Sequence, residues 1–171
     1  MRQKTLWITQ TAALLALLII LQLATRSAGQ LVTGSCVNAV LALIAGLSSS
    51  LTVAVLSPFL AFALGVGPKL LPIVPAIAVG NAALAALICL FARKNLSPAR
   101  RAAATAVAAA GKFALLYLLV VQLLCRVLTL NEKQIAAFSA MFSWPQLVTA
   151  LIGTAVAMCV APVIQKALGR E

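Results

Sequence analysis

The chain has 171 residues, 64% of them hydrophobic, and a mean hydropathy of +1.13, values no ordinary soluble domain shares. Thirteen Lys and Arg stand against two acidic residues, Glu132 and Glu171, with no Asp and no His. That inventory lacks the side chains on which metal sites, general acid–base catalysis and Ser-His-Asp hydrolysis depend, and it offers almost no carboxylate for proton or sodium coupling.

Successive apolar runs approach the roughly 18 residues that mark a membrane-spanning helix. They predict an all-α integral membrane protein: one domain over residues 1–171, built as a six-transmembrane-helix bundle. The expected helices are about 6–24, 31–47, 51–66, 70–92, 102–128 and 145–168. No enzyme activity, metal or cofactor is expected.

The first run follows Arg2 and Lys4. A charged start, an apolar stretch and Ser27–Gly29 would suit a cleaved signal peptide, but the run is long for one and five more follow, so a retained helix is expected. Ala12 and Ala16, four residues apart, form a flat ridge suited either to a partner helix or to internal packing. After the second helix, Ser48–Ser50 predict a tight turn. The third helix carries Pro58 near its middle, which frees a backbone carbonyl that neighbouring protein must satisfy. The glycines and prolines of Gly65–Pro75 predict an irregular connector. Asn81 lies in the fourth helix, about 16 Å below that connector at helical rise.

Arg93–Arg101 is the most basic connector, and the fifth helix after it contains Lys112 within AAAGKFALLYLLV. Thr129–Ser143 contains NEKQ and suits a short surface helix. Ser143 and Pro145 then open the sixth helix as cap and first-turn proline. Cys36, Cys89, Cys125 and Cys159 are widely separated within apolar runs and read as packing residues. Val53–Gly65 and Val156–Gly169 align with one gap, which fits either an inverted repeat or chance similarity of two apolar strings.

The positive charges sit in short connectors, which favours membrane orientation over nucleic-acid binding. With the N-terminus inside, Arg2, Lys4, Arg93, Lys94, Arg100, Arg101, Lys166 and Arg170 share one side. Arg26, Lys69, Arg126 and Lys133 share the other. Eight against four predicts that both termini are cytoplasmic.

The run of six short helices, cytoplasmic termini, small size and the Ala12–Ala16 pair resembles the substrate-binding S component of energy-coupling factor (ECF) transporters. Leu31–Gly46 and Ser57–Ala82 also read like members of that group, and the resemblance covers essentially the whole chain. It implies a subunit of the bacterial plasma membrane that binds a vitamin or related micronutrient from outside. A separate T component and two cytoplasmic ATPases would supply the work, with Ala12 and Ala16 docking on the T component. The sequence agrees in lacking an ATP-binding GxxxxGK[ST] loop.

The resemblance further implies an outward pocket made largely by the fourth to sixth helices and capped by loops. On the fifth helix Lys112, Leu119, Gln122 and Arg126 share a broad α-helical face, with Tyr117 roughly opposite. Trp144, Gln146 and Thr149 cluster at the outer end of the sixth. With Asn81 and the loop residue Lys69, these polar residues are the candidate substrate-binding set. Arg126 and Trp144 also suit interfacial anchoring, Asn81 an interhelical hydrogen bond, and Lys69 a solvated loop. Lys112 has three readings: a stem reaching the inner headgroups, a bond to Asn81 or to carbonyls freed near Pro58 or Pro75, or contact with an anionic substrate. The rival to a transport subunit is a non-catalytic structural or assembly subunit of a membrane or cell-envelope complex.

Overall fold

A computed structural model describes residues 2–25, 28–66, 70–91 and 96–167, and every described element is helical. The long helices are α1 (Arg2–Ala24), α2 (Ala28–Ile44), α3 (Leu47–Ala63), α4 (Ile73–Phe91), α5 (Pro98–Val127) and α7 (Trp144–Ala167). A shorter α6 (Glu132–Met141) lies between the last two. Four stretches are long and apolar enough to cross a membrane: Trp7–Ala24, Ile73–Phe91, Pro98–Val127 and Glu132–Ala167. The 17-residue α2 and α3 are shorter.

The bundle is apolar outside as well as inside. Leu17, Ile20, Phe59, Val79, Leu90, Val107, Leu118, Ile152 and Val163 all point outward. In water such a surface would drive aggregation; in lipid it is the natural contact face. Helices that meet hydrocarbon gain little from burying more of it, so close backbone approach matters more. The principal core follows that rule. Ala39, Ala42, Ala54, Ala85, Ala108 and Ala157 are buried around Leu84 and Ile88, drawing α2, α3, α4, α5 and α7 together. A second cluster, Ile73, Ala76, Leu116, Val120 and Phe142, joins α4 and α5 to the connector between α6 and α7.

Local chemistry moves several boundaries from their sequence expectations. The tight turn expected at Ser48–Ser50 lies instead at Ala45–Gly46, where Gly46 has φ 81°. The serines form the first turn of α3, and Ser50 Oγ donates back to the Gly46 carbonyl at 2.5 Å. Ser97 precedes Pro98 at the first position of α5, so that helix begins four residues before the expected 102. Asn131 caps α6 through a reciprocal box: its Oδ1 accepts from Gln134 N at 2.8 Å, and Gln134 Oε1 accepts from Asn131 N at 3.1 Å. The expected cap residue of α7, Ser143, places its hydroxyl against the preceding helix. That group donates to the Ser139 carbonyl at 2.5 Å, holding α6 against the start of α7.

The largest departure is in α5. Residues Tyr117–Leu124 adopt π-helical register, with backbone bonds one residue longer than in an α-helix. From Lys112 onward the buried positions of this helix, Lys112, Leu116, Val120 and Cys125, are spaced by four, four and five residues. The five-residue step is the mark of the wider turn.

Candidate functional site

A cavity of about 70 Å³ opens at the end of the bundle where α1, α3 and α5 finish and α2, α4 and α7 begin. Arg100, Arg101 and Lys166 belong to the opposite end. All six long helices contribute to the walls. Gln22 comes from α1, Gly34 from α2, and Pro58, Ala61 and Phe62 from α3. Val74, Ile77 and Asn81 come from α4, Lys112 and Leu116 from α5, and Gln146 from α7. Val66 and Met141, the last residue of α6, complete the lining.

Two glycines make the shape possible. Gly34 faces the Gln22 side chain, and a Cβ there would stand 3.2 Å from Gln22 Nε2. Gly80 lets α5 approach α4 so closely that an added Cβ would lie 2.6 Å from Leu116 Cγ. Leu116 is thereby seated as a wall rather than a plug. Pro58 deprives α3 of one internal hydrogen bond at the same level.

Lys112 is 4% exposed, and its Nζ donates to Ser35 Oγ of α2 at 2.9 Å. The inner-headgroup reading of this lysine is therefore replaced by one in which the ammonium lies inside the bundle, across from α2. An ammonium carries three N–H donors. Glu132 is the only carboxylate among the described residues, and it is exposed in the first turn of α6. Gln146 is 2% exposed and its Oε1 has no hydrogen-bond partner among the described residues; Gln22 Oε1 is likewise buried and unpartnered among them. Asn81, 6% exposed, makes no side-chain hydrogen bond among the described residues. Of the four buried, unpartnered side-chain atoms among the described residues, Gln22 Oε1 and Gln146 Oε1 belong to cavity-lining residues, whereas Asn38 Oδ1 and Arg101 Nε lie elsewhere. A polar group left unmatched in a low-dielectric interior costs about 1–3 kcal/mol, so the pair at the cavity calls for an explanation.

Of the residues singled out in the sequence, the cavity gathers Asn81, Lys112 and Gln146. Thr149 lies one turn further along α7, buried, with its hydroxyl donating to the Gln146 carbonyl at 3.2 Å. Gln122 and Arg126 lie elsewhere. Gln122 Nε2 donates to Tyr117 Oη at 3.1 Å, and Arg126 Nη2 donates to Gln122 Oε1 at 2.7 Å. The π register brings Tyr117 beside Gln122, instead of roughly opposite, and carries this polar chain away from the cavity. Trp144 is 72% exposed and stacks on Phe113 at 6.4 Å, an arrangement suited to a membrane interface. Lys69 falls outside the described residues. Gln22, Gly34 and Ser35 were not anticipated. The signal in the sequence is an isolated amide, Gln22, within the apolar second half of the first helix.

Ala12 and Ala16 are both exposed on α1. Thr11, on another face of the helix, is buried and donates to Ser49 Oγ of α3 at 3.2 Å. Comparison with protein-family models, with curated proteins and with solved structures finds no match to this chain.

Proposed function

We propose that the chain is a substrate-binding membrane subunit of the ECF S-component type, with six spans and both termini on the cytoplasmic side of a bacterial plasma membrane. It would bind a vitamin or related micronutrient and deliver it through a separate T component driven by two cytoplasmic ATPases. One observation carries the reading: the Gln22 and Gln146 amide oxygens, unpartnered among the described residues, line one cavity with Asn81 and the Lys112 ammonium at the end of an otherwise apolar bundle. Small-molecule sites combine an apolar wall with a few placed polar groups in this way.

Two further features support it. The scarcity of carboxylates leaves this chain without the usual side chains for ion coupling, which fits work supplied by a partner. The exposed Ala12–Ala16 ridge is a face where a second helix fits closely. The bundle itself performs no chemistry in this scheme. It selects, encloses and presents a molecule.

The test is reconstitution of the full chain with a T component and its two ATPases in vesicles. The expected result is a stable complex and ATP-dependent retention of a small molecule. Failure to form any complex, together with stability that requires some other membrane partner, would favour the structural or assembly role instead.

A further inference from the structure

We infer that the cavity takes a compact oxyanion that also carries hydrogen-bond donors: a small carboxylate or phosphate whose acidic group meets Lys112 and whose N–H or O–H groups meet Gln146 and Gln22. The inference deepens, and rests on, the binding-subunit reading.

Charge is the first argument. The Lys112 side chain is almost wholly buried and, among the described residues, donates to one neutral acceptor, Ser35 Oγ. The two N–H groups left over have no protein carboxylate to meet among the described residues, because Glu132 is exposed on α6. A buried cation without a counter-charge is expensive, and an oxyanion entering the cavity supplies one in the setting where pairing is strongest.

The second argument is the opposite need on the other walls. Gln146 Oε1 and Gln22 Oε1 are buried acceptors with no donor among the described residues. A bare halide would satisfy Lys112 and leave both amides unmet. A molecule with an acid at one edge and N–H or O–H groups at another satisfies all three. Asn81, offering both a donor and an acceptor, accommodates either part.

Size and surface narrow the class. Phe62, Val74, Leu116 and Met141 supply apolar walls that suit a ring or short hydrocarbon body. A cavity volume near 70 Å³ corresponds to about five water molecules. That favours a single small ring over an extended cofactor. The same oxyanion chemistry is present in a free metabolite and in an anionic lipid headgroup, so the experiment must separate the two sources.

Calorimetry on the purified full-length chain would use small carboxylates, each paired with its uncharged carboxamide. Para-aminobenzoate with para-aminobenzamide, and pyroglutamate with its amide, are suitable pairs, with inorganic phosphate alongside. The acids are expected to bind about tenfold or more tighter than their amides, and Lys112→Met should bring that ratio near one. Gln146→Leu should weaken the acids about tenfold while preserving the ratio, so the proposal remains testable if Lys112→Met fails to fold. Thermal stability in phosphatidylcholine nanodiscs with and without phosphatidylglycerol identifies the source. Stabilisation by phosphatidylglycerol that Lys112→Met abolishes, without binding of the soluble acids, makes the oxyanion a headgroup. Amides that bind as tightly as acids overturn the oxyanion inference and leave the binding-subunit reading standing. Absence of binding by every probe, phosphatidylglycerol included, overturns both.

Discussion

Tyr117 and Gln122 are hydrogen-bonded side chain to side chain at 3.1 Å, although five residues separate them along one helix. In an α-helix the neighbours are three and four residues apart. A partner at five requires the wider π turn, which runs from Tyr117 to Leu124. The pair belongs to a polar chain, Tyr117–Gln122–Arg126, that lies apart from the cavity. Lys112 and Leu116, in the α-helical segment before the π turn, line the site.

Removing the phenol tests that division. Tyr117→Phe should cost about 0.5–1.5 kcal/mol of stability, one net hydrogen bond, and leave ligand affinity unchanged. Arg126→Ala should likewise alter affinity by less than about twofold, since its loss exposes no unmet group inside the cavity. Thermal denaturation and calorimetry on the same samples separate the two effects. A large loss of binding in either variant would return the polar chain to the site.

Gly80 and Gly111 offer a graded test of the helix contacts. A Cβ on Gly80 would meet Cγ and both Cδ atoms of Leu116, the nearest at 2.6 Å. One on Gly111 would meet only the terminal Cδ1 of Leu87 at 2.7 Å. A chain end can swing aside more readily than a branch point. Gly80→Ala should therefore destabilise by about 1–3 kcal/mol and push Leu116 into the cavity, lowering ligand affinity, whereas Gly111→Ala should cost less. Equal melting temperatures for the two variants would contradict this ordering.

Much of the architecture is legible in the sequence because lipid imposes a coarse rule. Long apolar runs become helices, and polar residues within them demand partners. Lys112, Asn81 and Gln146 stand out for that reason, and all three line the cavity. The part that was not legible depends on register. An α-helical wheel places Tyr117 away from Gln122, and nothing in YLLVVQLL announces the π turn that joins them. The serine turn failed for a related reason: Ser48–Ser50 suit the start of a helix as well as a turn, and Gly46, with its positive φ, took the turn instead. Gln22 is an isolated amide in the apolar second half of the first helix, and its role depends on which face α2 covers.

The exposed face of α1 yields a separate prediction about assembly. Ala12 and Ala16 both point outward, so Ala12→Trp or Ala16→Trp should leave folding and ligand binding intact. Each should block close approach of a partner helix and abolish co-purification with a T component. Pull-down from detergent extracts reads this directly. Undiminished co-purification with both variants would remove this ridge from the docking surface.

The most direct test of the central claim is native mass spectrometry of the chain after gentle detergent extraction. The account predicts one small molecule bound per wild-type chain and a clearly lower occupancy in Gln146→Leu. A wild-type chain that carries no small molecule, or an adduct held equally by the variant, would contradict it.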